Sequence, residues 1–187
     1  TLRSYYILQN LNLTEIIPAR NLRGPPNAPE FSFMTDMIHF EDLTPGTTFE
    51  LGPKPVSSDE IIEFASEFDP QPMHLDEKAG EASILGGLAA SGWHTCAMMM
   101  RMIYDAYVCR AAGEGAPGIE FVSWKRPVLA GDVLTGTSEV LEARRSASRP
   151  AIGIVRFRTK LTNQRGETVY ESENPIMIRV RTPEAKA

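Results

Sequence analysis

The stretch "GWHTCAMMMRMIYDAYVCRAA", residues 92–112, decides the fold of this chain. Apolar side chains occupy nearly every side of a helix drawn through it, and Gly113 and Gly115 follow it directly. A helix that is apolar on most sides is buried on most sides, and glycine is typical just past a helix C-terminus. The sequence therefore predicts one long buried helix, running from about Gly92 to Ala112.

The segments on either side of this helix predict β-strands. One short strand is expected before it, at 47–51, and four more follow it without intervening helices, at about 118–128, 132–143, 151–163 and 168–182. Residues 152–161 show the period-two alternation of a half-buried strand. Strands that follow one another directly favour an antiparallel meander. We therefore predict an α+β fold in which a curved antiparallel sheet wraps round the long helix.

A second helix is predicted over "SSDEIIEFASEF", where Ser57 and Glu60 fit a capping box. One helical face of this segment carries Ile61, Phe64, Ala65 and Phe68. The helix is expected to stop at Asp69, because a residue that precedes proline is pushed out of the α region. The following "DPQP", residues 69–72, predicts a semi-rigid extended turn.

Overall composition limits the classes of function. The chain has 187 residues, enough for one domain with a sizeable core, and a net charge of −5, which does not favour nucleic-acid binding. Its most apolar stretch contains three charged residues, so no membrane span is expected. Cys96 and Cys109 fit free thiols in a reducing compartment better than a disulfide or metal site. With no recognisable signal peptide, a cytoplasmic location is expected.

Residues 1–33 differ from the remainder of the chain. They contain four prolines and no sustained period, whereas Met34 opens a segment that resembles a natural start. We interpret 1–33 as an N-terminal extension of unclear origin, either an arm of the protein or residues upstream of its start. Residues 34–187 are expected to form a single domain.

Asp69 and His74 are the first candidate catalytic residues. They lie five positions apart with two prolines between them, which restricts the connecting loop. A carboxylate and an imidazole held near one water molecule can polarise it and move its protons. The spacing alone leaves another interpretation open, in which Asp69 ends a helix and His74 is simply hydrogen-bonded.

The stretch "ASGWHT", residues 90–95, supplies the second candidate element. The first N–H groups of a helix have no internal partner and carry positive potential. The backbone N–H of Gly92 could therefore stabilise an oxygen that gains negative charge, as an oxyanion hole does. The alternative is that Ser91 is an ordinary N-cap and Gly92 a packing glycine.

Together these stretches resemble the MaoC-like dehydratase family, which includes the R-specific enoyl-CoA hydratases. The family pattern of Asp, Pro, an aliphatic residue and His, followed by the glycine that opens the central helix, is matched by Asp69, Pro72, Met73, His74 and Gly92. The later "FVSWKRPVLAGDVLTG" resembles the family's strand–Pro–Val–x–x–Gly–Asp segment. The resemblance covers roughly residues 38–182.

This resemblance implies a hot-dog fold, usually paired into a homodimer or a higher homo-oligomer. It implies reversible hydration of an enoyl thioester, with coenzyme A carried as part of the substrate and no metal or redox cofactor. Asp69 and His74 would activate the water, and the N–H of Gly92 would stabilise the enolate oxygen. Gln71, Phe68 and Ser91 depart from the common family pattern, and we expect these three residues to contact a substrate particular to a subgroup.

Other residues and functions remain open at this stage. His94 could touch substrate or belong to the core, and Met98–Met102 could line an acyl tunnel or the core. Lys125 and Arg126 could bind the phosphates of coenzyme A or form a solvated strand end. A thioesterase using Asp105 or Asp76, and a non-catalytic acyl-CoA-binding protein, are the alternatives to a hydratase. The sequence does not specify the acyl group.

Overall fold

The computed structural model describes residues 37–181 of the chain, so the predicted boundary between extension and domain lies outside the described residues. Within these described residues the strands are β1 (Thr48–Pro55), β2 (Gly113–Gly115), β3 (Phe121–Trp124), β4 (Val133–Arg145), β5 (Ile152–Thr162) and β6 (Thr168–Arg179). The α-helices are α1 (Ser58–Phe68), α2 (Pro72–Leu75), α3 (Glu77–Glu81) and α4 (Gly92–Ala106). Short 3₁₀ turns cover Phe40–Asp42 and Val108–Arg110.

The strands form one antiparallel sheet, which confirms the predicted α+β class. The predicted meander holds for β4, β5 and β6, but not for β3, which pairs with β6 because residues 125–132 carry the chain from that edge across to β4. The strand order is β1-β4-β5-β6, and both β2 and β3 pair with the remaining edge of β6. Along β5 the inward residues Val155, Phe157 and Leu161 are fully buried, which is the period-two alternation read from the sequence. The short strand β2 was not predicted, because "GEG" carries no β-branched or aromatic residue.

Helix α4 supplies one side of the core and the sheet supplies the other. Met98, Met99, Met102 and Ile103 of α4 belong to the same buried cluster as residues from β4, β5 and β6. Tyr107, just after α4, stacks between Phe49 at 4.4 Å and Phe157 at 5.3 Å. The sheet therefore packs on the central helix that the sequence predicts.

Two features predicted for this helix are wrong. It ends at Ala106 rather than Ala112, because Tyr107 leaves the helical region (φ −151°) as its ring inserts between Phe49 and Phe157. It is also less buried than the predicted burial on most sides, since Trp93, Met100 and Tyr104 are 63%, 46% and 47% exposed. These three residues form an apolar stripe on the outer side of α4.

The segment 68–76 also departs from its predicted form. Gln71 is extended (φ −80°, ψ 141°), as its position before proline requires. Pro72, however, opens the helical turn α2, because a proline at the first helical position gives up no hydrogen bond. His74 therefore lies on a helical turn rather than on an extended arc. Phe68, expected on the buried face of α1, is 63% exposed.

The capping box at the start of α1 is only half formed. Ser57 Oγ accepts a hydrogen bond from the Glu60 N–H at 3.1 Å, which confirms Ser57 as the N-cap. The Glu60 carboxylate does not return to the cap but binds Lys54 Nζ of β1 at 2.6 Å. Glu60 thus ties α1 to the sheet.

Within residues 37–181, no helix combines the length and the apolar character that crossing a membrane requires.

Replacing Phe157 with alanine tests the core. Phe157 is fully buried and stacked on Tyr107, so Phe157→Ala should lower the free energy of unfolding by about 3–5 kcal/mol. Lys160→Ala on the outer face of the same strand removes only an exposed ion pair to Glu171 at 3.6 Å and should cost under about 1 kcal/mol. Equal losses in urea denaturation would contradict the assignment of the core.

Candidate active site

Asp69 forms the C-terminal cap of α1, and its carboxylate accepts two side-chain hydrogen bonds. Ser91 Oγ donates to Oδ2 at 2.5 Å, and Gln71 Nε2 donates to Oδ1 at 2.8 Å. These bonds, the one from Ser91 foremost, hold the pKa of the Asp69 carboxyl below its usual value because they stabilise the charged form. Asp69 is therefore a carboxylate at neutral pH.

Ser91 and Gln71, both predicted to bind substrate, contact Asp69. Ser91 is almost fully buried as the N-cap of α4, where its Oγ also accepts a hydrogen bond from the Trp93 N–H at 3.3 Å. It thereby joins the C-terminal end of α1 to the N-terminal end of α4. Gln71 reaches Asp69 from two residues further along the chain. Contact of either side chain with substrate stays a prediction.

A hydrogen bond at Nδ1 fixes the orientation of the His74 ring. Its Nδ1 lies 2.7 Å from the carbonyl oxygen of Ala89, and a carbonyl can only accept, so Nδ1 carries the hydrogen. In the neutral ring the lone pair is then on Nε2. This Nε2 lies 3.9 Å from Asp69 Oδ2, too far for a direct hydrogen bond.

The two facing atoms are both hydrogen-bond acceptors. A water molecule at an ordinary hydrogen-bond distance of about 2.8 Å from each fits the 3.9 Å between them. It would donate one hydrogen to His74 and the other to Asp69, which leaves its oxygen lone pairs free to attack. The geometry can therefore bind and activate one water molecule.

Gly92 is the first residue of α4 and has no room for a side chain. A Cβ atom built on it would lie 2.7 Å from the indole ring of Trp124, as expected for the alternative of a packing glycine. Among residues 37–181 no acceptor contacts the Gly92 N–H, consistent with its place in the first helical turn. The oxyanion role remains a prediction.

His74 and Gly92 line a common cavity of about 420 Å³. Its walls are largely apolar, and Trp124, Lys125 and Arg126 follow one another along its edge. Lys125 and Arg126 also line a neighbouring surface depression that includes Lys160. A substrate whose reacting group lies beside His74 would therefore share the cavity with two cations, Lys125 and Arg126.

The remaining candidates lie elsewhere. Phe68 packs on Phe64, with ring centroids 5.0 Å apart, and lines a separate groove of about 640 Å³ between α1 and α4. This larger groove contains neither Asp69 nor His74. His94 is 3% exposed, and Met98, Met99 and Met102 belong to the core.

The two carboxylates considered for a thioesterase are engaged in local structure. Asp105 binds Arg101 one turn earlier on α4 at 2.9 Å. Asp76 is the N-cap of α3 and accepts a hydrogen bond from the Ala79 N–H at 2.9 Å. Neither lines the cavity that holds His74 and Gly92.

Two features of the site were missed in the sequence. Ser91 was recognised as an N-cap, but its bond to Asp69 spans 22 residues and depends on how α1 meets α4. Trp124 covers Gly92 from β3, and only its aromatic character within the strand could have suggested contact with the helix. Within residues 37–181, no group of three or more His, Cys, Asp or Glu side chains is placed to hold a metal ion.

An antiparallel sheet packed on one long central helix is the hot-dog fold, and the chain has this fold. The Asp–His pair is joined to the N-terminal end of that helix through Ser91. Residues 41–159 match the family model of the MaoC like domain, so the chain belongs to the MaoC-like dehydratase family. This confirms the family to which the motifs in the sequence point.

Individual relatives agree with the family. The structure is similar to the MaoC-like dehydratase of Rhodospirillum rubrum, with 39% identity, a TM-score of 0.70, and coverage of 78% of this chain and 99% of that one. YdeM of Bacillus subtilis, an uncharacterised protein, is 29% identical over 76% of this chain and 99% of its own. R-hydratase PhaJ1 of Pseudomonas aeruginosa shares the fold at 24% identity and a TM-score of 0.64, covering 81% of this chain and 94% of that one.

Removing the Ser91 hydroxyl tests how Asp69 is held. Ser91→Ala should raise the pKa of the Asp69 carboxyl towards its usual value, because the strongest bond to the charged form is lost. Gln71→Ala should raise it less. Titration of the Asp69 carboxyl by ¹³C NMR measures both shifts, and an unchanged pKa in Ser91→Ala would contradict the assigned contact.

Proposed function

We propose that this protein catalyses the reversible hydration of an enoyl thioester to a 3-hydroxyacyl thioester, as R-specific hydratases do. The observation that carries the proposal is the pair of acceptors, His74 Nε2 and Asp69 Oδ2, which face each other 3.9 Å apart, while His74 also lines one cavity with Gly92. Membership of a dehydratase family supports the reaction class. The likeness to an R-hydratase supports the fold alone.

His74 is the base in this proposal. Asp69 already accepts two hydrogen bonds and has a lowered pKa, so its carboxylate is the weaker base and serves to orient the water. As the water oxygen bonds to the β-carbon, His74 Nε2 takes one of its protons, and the electrons of the double bond move to form an enolate. The imidazolium, stabilised by Asp69, then returns that proton to the α-carbon. The net change is addition of H and OH across the double bond.

Gly92 stabilises the enolate. Its N–H opens α4, where the helix dipole adds positive potential, and the absence of a side chain lets the thioester carbonyl approach. One such donor is worth about 10²–10³ in rate where it has been removed from other enzymes. Dehydration uses the same groups in reverse.

Coenzyme A is the carrier we propose, on the evidence of Lys125 and Arg126. Their ion pairs are long, 3.5 Å to Glu171 and 3.6 Å to Glu167, and the side chains of both cations are about half exposed. Such surface pairs contribute little energy, so both side chains can turn to the phosphates of a carrier in the cavity.

We further propose that the protein acts as a homodimer or a higher homo-oligomer. The stripe of Trp93, Met100 and Tyr104 on α4 continues to Trp124 on β3, whose ring lies 5.7 Å from that of Trp93, and all four side chains are exposed. A contiguous apolar surface of this kind marks an interaction site. A second copy is the occupant that family membership favours.

Activity on crotonyl-CoA tests the reaction, followed by loss of absorbance at the enoyl band. Asp69→Asn and His74→Ala should each lower kcat by about 10²–10⁴. Asp105→Asn, which removes only a pair to Arg101, should keep most of the wild-type rate. Full activity in the Asp69→Asn, His74→Ala double variant would refute the mechanism, and release of free thiol without hydration would favour a thioesterase.

The carrier is tested by comparing crotonyl-CoA with crotonyl-pantetheine, which lacks the nucleotide phosphates. Lys125→Ala with Arg126→Ala should raise the KM for the CoA substrate by about tenfold or more, because charge-assisted hydrogen bonds are lost. The KM for the pantetheine substrate should hardly change. Arg144→Ala, an exposed cation on β4 outside the cavity, is the control. Equal effects on both substrates would contradict the role of these cations.

Sedimentation velocity tests the interface. Wild type should sediment as a dimer or larger, and Met100→Glu with Tyr104→Glu should shift it towards monomer, because two charges would be buried without partners. Lys160→Ala on the outer face of the sheet is the matched control. A monomeric wild type would contradict the proposed assembly.

A further inference from the structure

His94 is a buried histidine that the proposed mechanism does not use. It lies two residues after Gly92 on α4 and is 3% exposed, but it does not line the cavity of His74. Its ring stacks on Phe64 of α1, with centroids 4.6 Å apart and planes 9° apart. Its Nε2 lies 3.5 Å from Glu60 Oε1, also on α1.

These contacts matter because α1 and α4 are incompletely packed. The groove of about 640 Å³ lies between them. Within residues 37–181, two polar side-chain contacts join α1 and its cap to α4 and its cap. Asp69 binds Ser91 at the C-terminal end of α1, and Glu60 contacts His94 near the N-terminal end of α1. Glu60 is in turn fixed by Lys54 of β1 at 2.6 Å. Contacts from Lys54 to Glu60 and from Glu60 to His94 thus link the sheet to α1 and α1 to α4.

The protonation state of His94 suits this role. Burial lowers the pKa of its imidazole more than Glu60 raises it, so the ring is neutral at neutral pH. Nε2–H then faces the Glu60 carboxylate, while Nδ1, which has no hydrogen-bond partner in the described part of the chain, holds only a lone pair. A protonated ring would place a buried N–H there without an acceptor.

We propose that His94 is a positioning residue for the hydration reaction, because it fixes α1 against α4 and so sets the distance between Asp69 and His74. Asp69 caps α1, whereas His74 is held independently by the Ala89 carbonyl. Loosening α1 on α4 therefore moves one member of the pair and not the other. The inference rests on the proposed function only in assigning Asp69 a part in the chemistry.

The structure also indicates which kinetic constant should change. No residue of α1 lines the cavity that contains His74, Gly92 and the two cations. Displacement of α1 should leave substrate binding intact while it misplaces Asp69. Since small misplacements of a reacting group can cost up to about 10²-fold in rate, we expect kcat to fall with little change in KM.

The experiment compares His94→Ala with His94→Gln and with Arg101→Gln. Glutamine can still donate to Glu60, so His94→Gln should recover part of the activity and guards against a folding defect in His94→Ala. Arg101 lines the groove between α1 and α4, as His94 does, but its side-chain bonds to residues 37–181 stay within α4, which makes it the matched control. On crotonyl-CoA, His94→Ala should lower kcat by between about tenfold and a hundredfold, and should cause no further loss in an Asp69→Asn background.

A second readout does not depend on activity. The pKa of the Asp69 carboxyl, measured by ¹³C NMR, should rise in His94→Ala as its bond to Ser91 weakens, and should stay unchanged in Arg101→Gln. An unchanged Asp69 pKa in folded His94→Ala, or a rise in KM alone, would overturn the inference. If the wild type hydrated no enoyl thioester but the Asp69 pKa still rose, the positioning contact would stand and the proposed function would fall.

Discussion

The hydrogen bond from Ser91 to Asp69 is the contact on which the site depends. It joins the last turn of one helix to the first turn of another across 22 residues of sequence, at 2.5 Å. The same serine caps α4 through the Trp93 N–H. One buried hydroxyl therefore both starts the central helix and turns the carboxylate towards His74. This contact also lowers the pKa of the Asp69 carboxyl, since hydrogen bonds to the carboxylate stabilise its ionised form.

The central helix places the rest of the chemistry. Its first residue is Gly92, and the indole of Trp124 occupies the space that a side chain there would need. The N–H of Gly92 lies at the positive end of the helix dipole. Ala89, just ahead of the helix, fixes the tautomer of His74 through its carbonyl oxygen. In the proposed reaction, His74 as the base and Gly92 as the oxyanion donor would therefore act on one cavity of about 420 Å³.

Much of the fold followed from the sequence, because periodicity reports burial. The alternation in β5 and the apolar run of α4 each predicted its element correctly. The helix end at Ala106 did not follow, since it is set by Tyr107 packing between two rings from distant strands. The motifs singled out Asp69, His74 and Gly92, but neither the hydrogen bond from Ser91 to Asp69 nor the contacts of His94 with Phe64 and Glu60 could be predicted. Both depend on the packing of α1 against α4, which local sequence does not encode.

The central claim is that one water molecule is activated between His74 and Asp69 while Gly92 holds the thioester oxygen. The most direct measurement is a crystal structure of the Asp69→Asn variant with a bound 3-hydroxyacyl-CoA. We predict the 3-hydroxyl oxygen within hydrogen-bond distance of His74 Nε2 and of the side chain at position 69, and the thioester oxygen at the Gly92 N–H. A thioester oxygen bound away from Gly92, or a hydroxyl remote from His74, would contradict the mechanism.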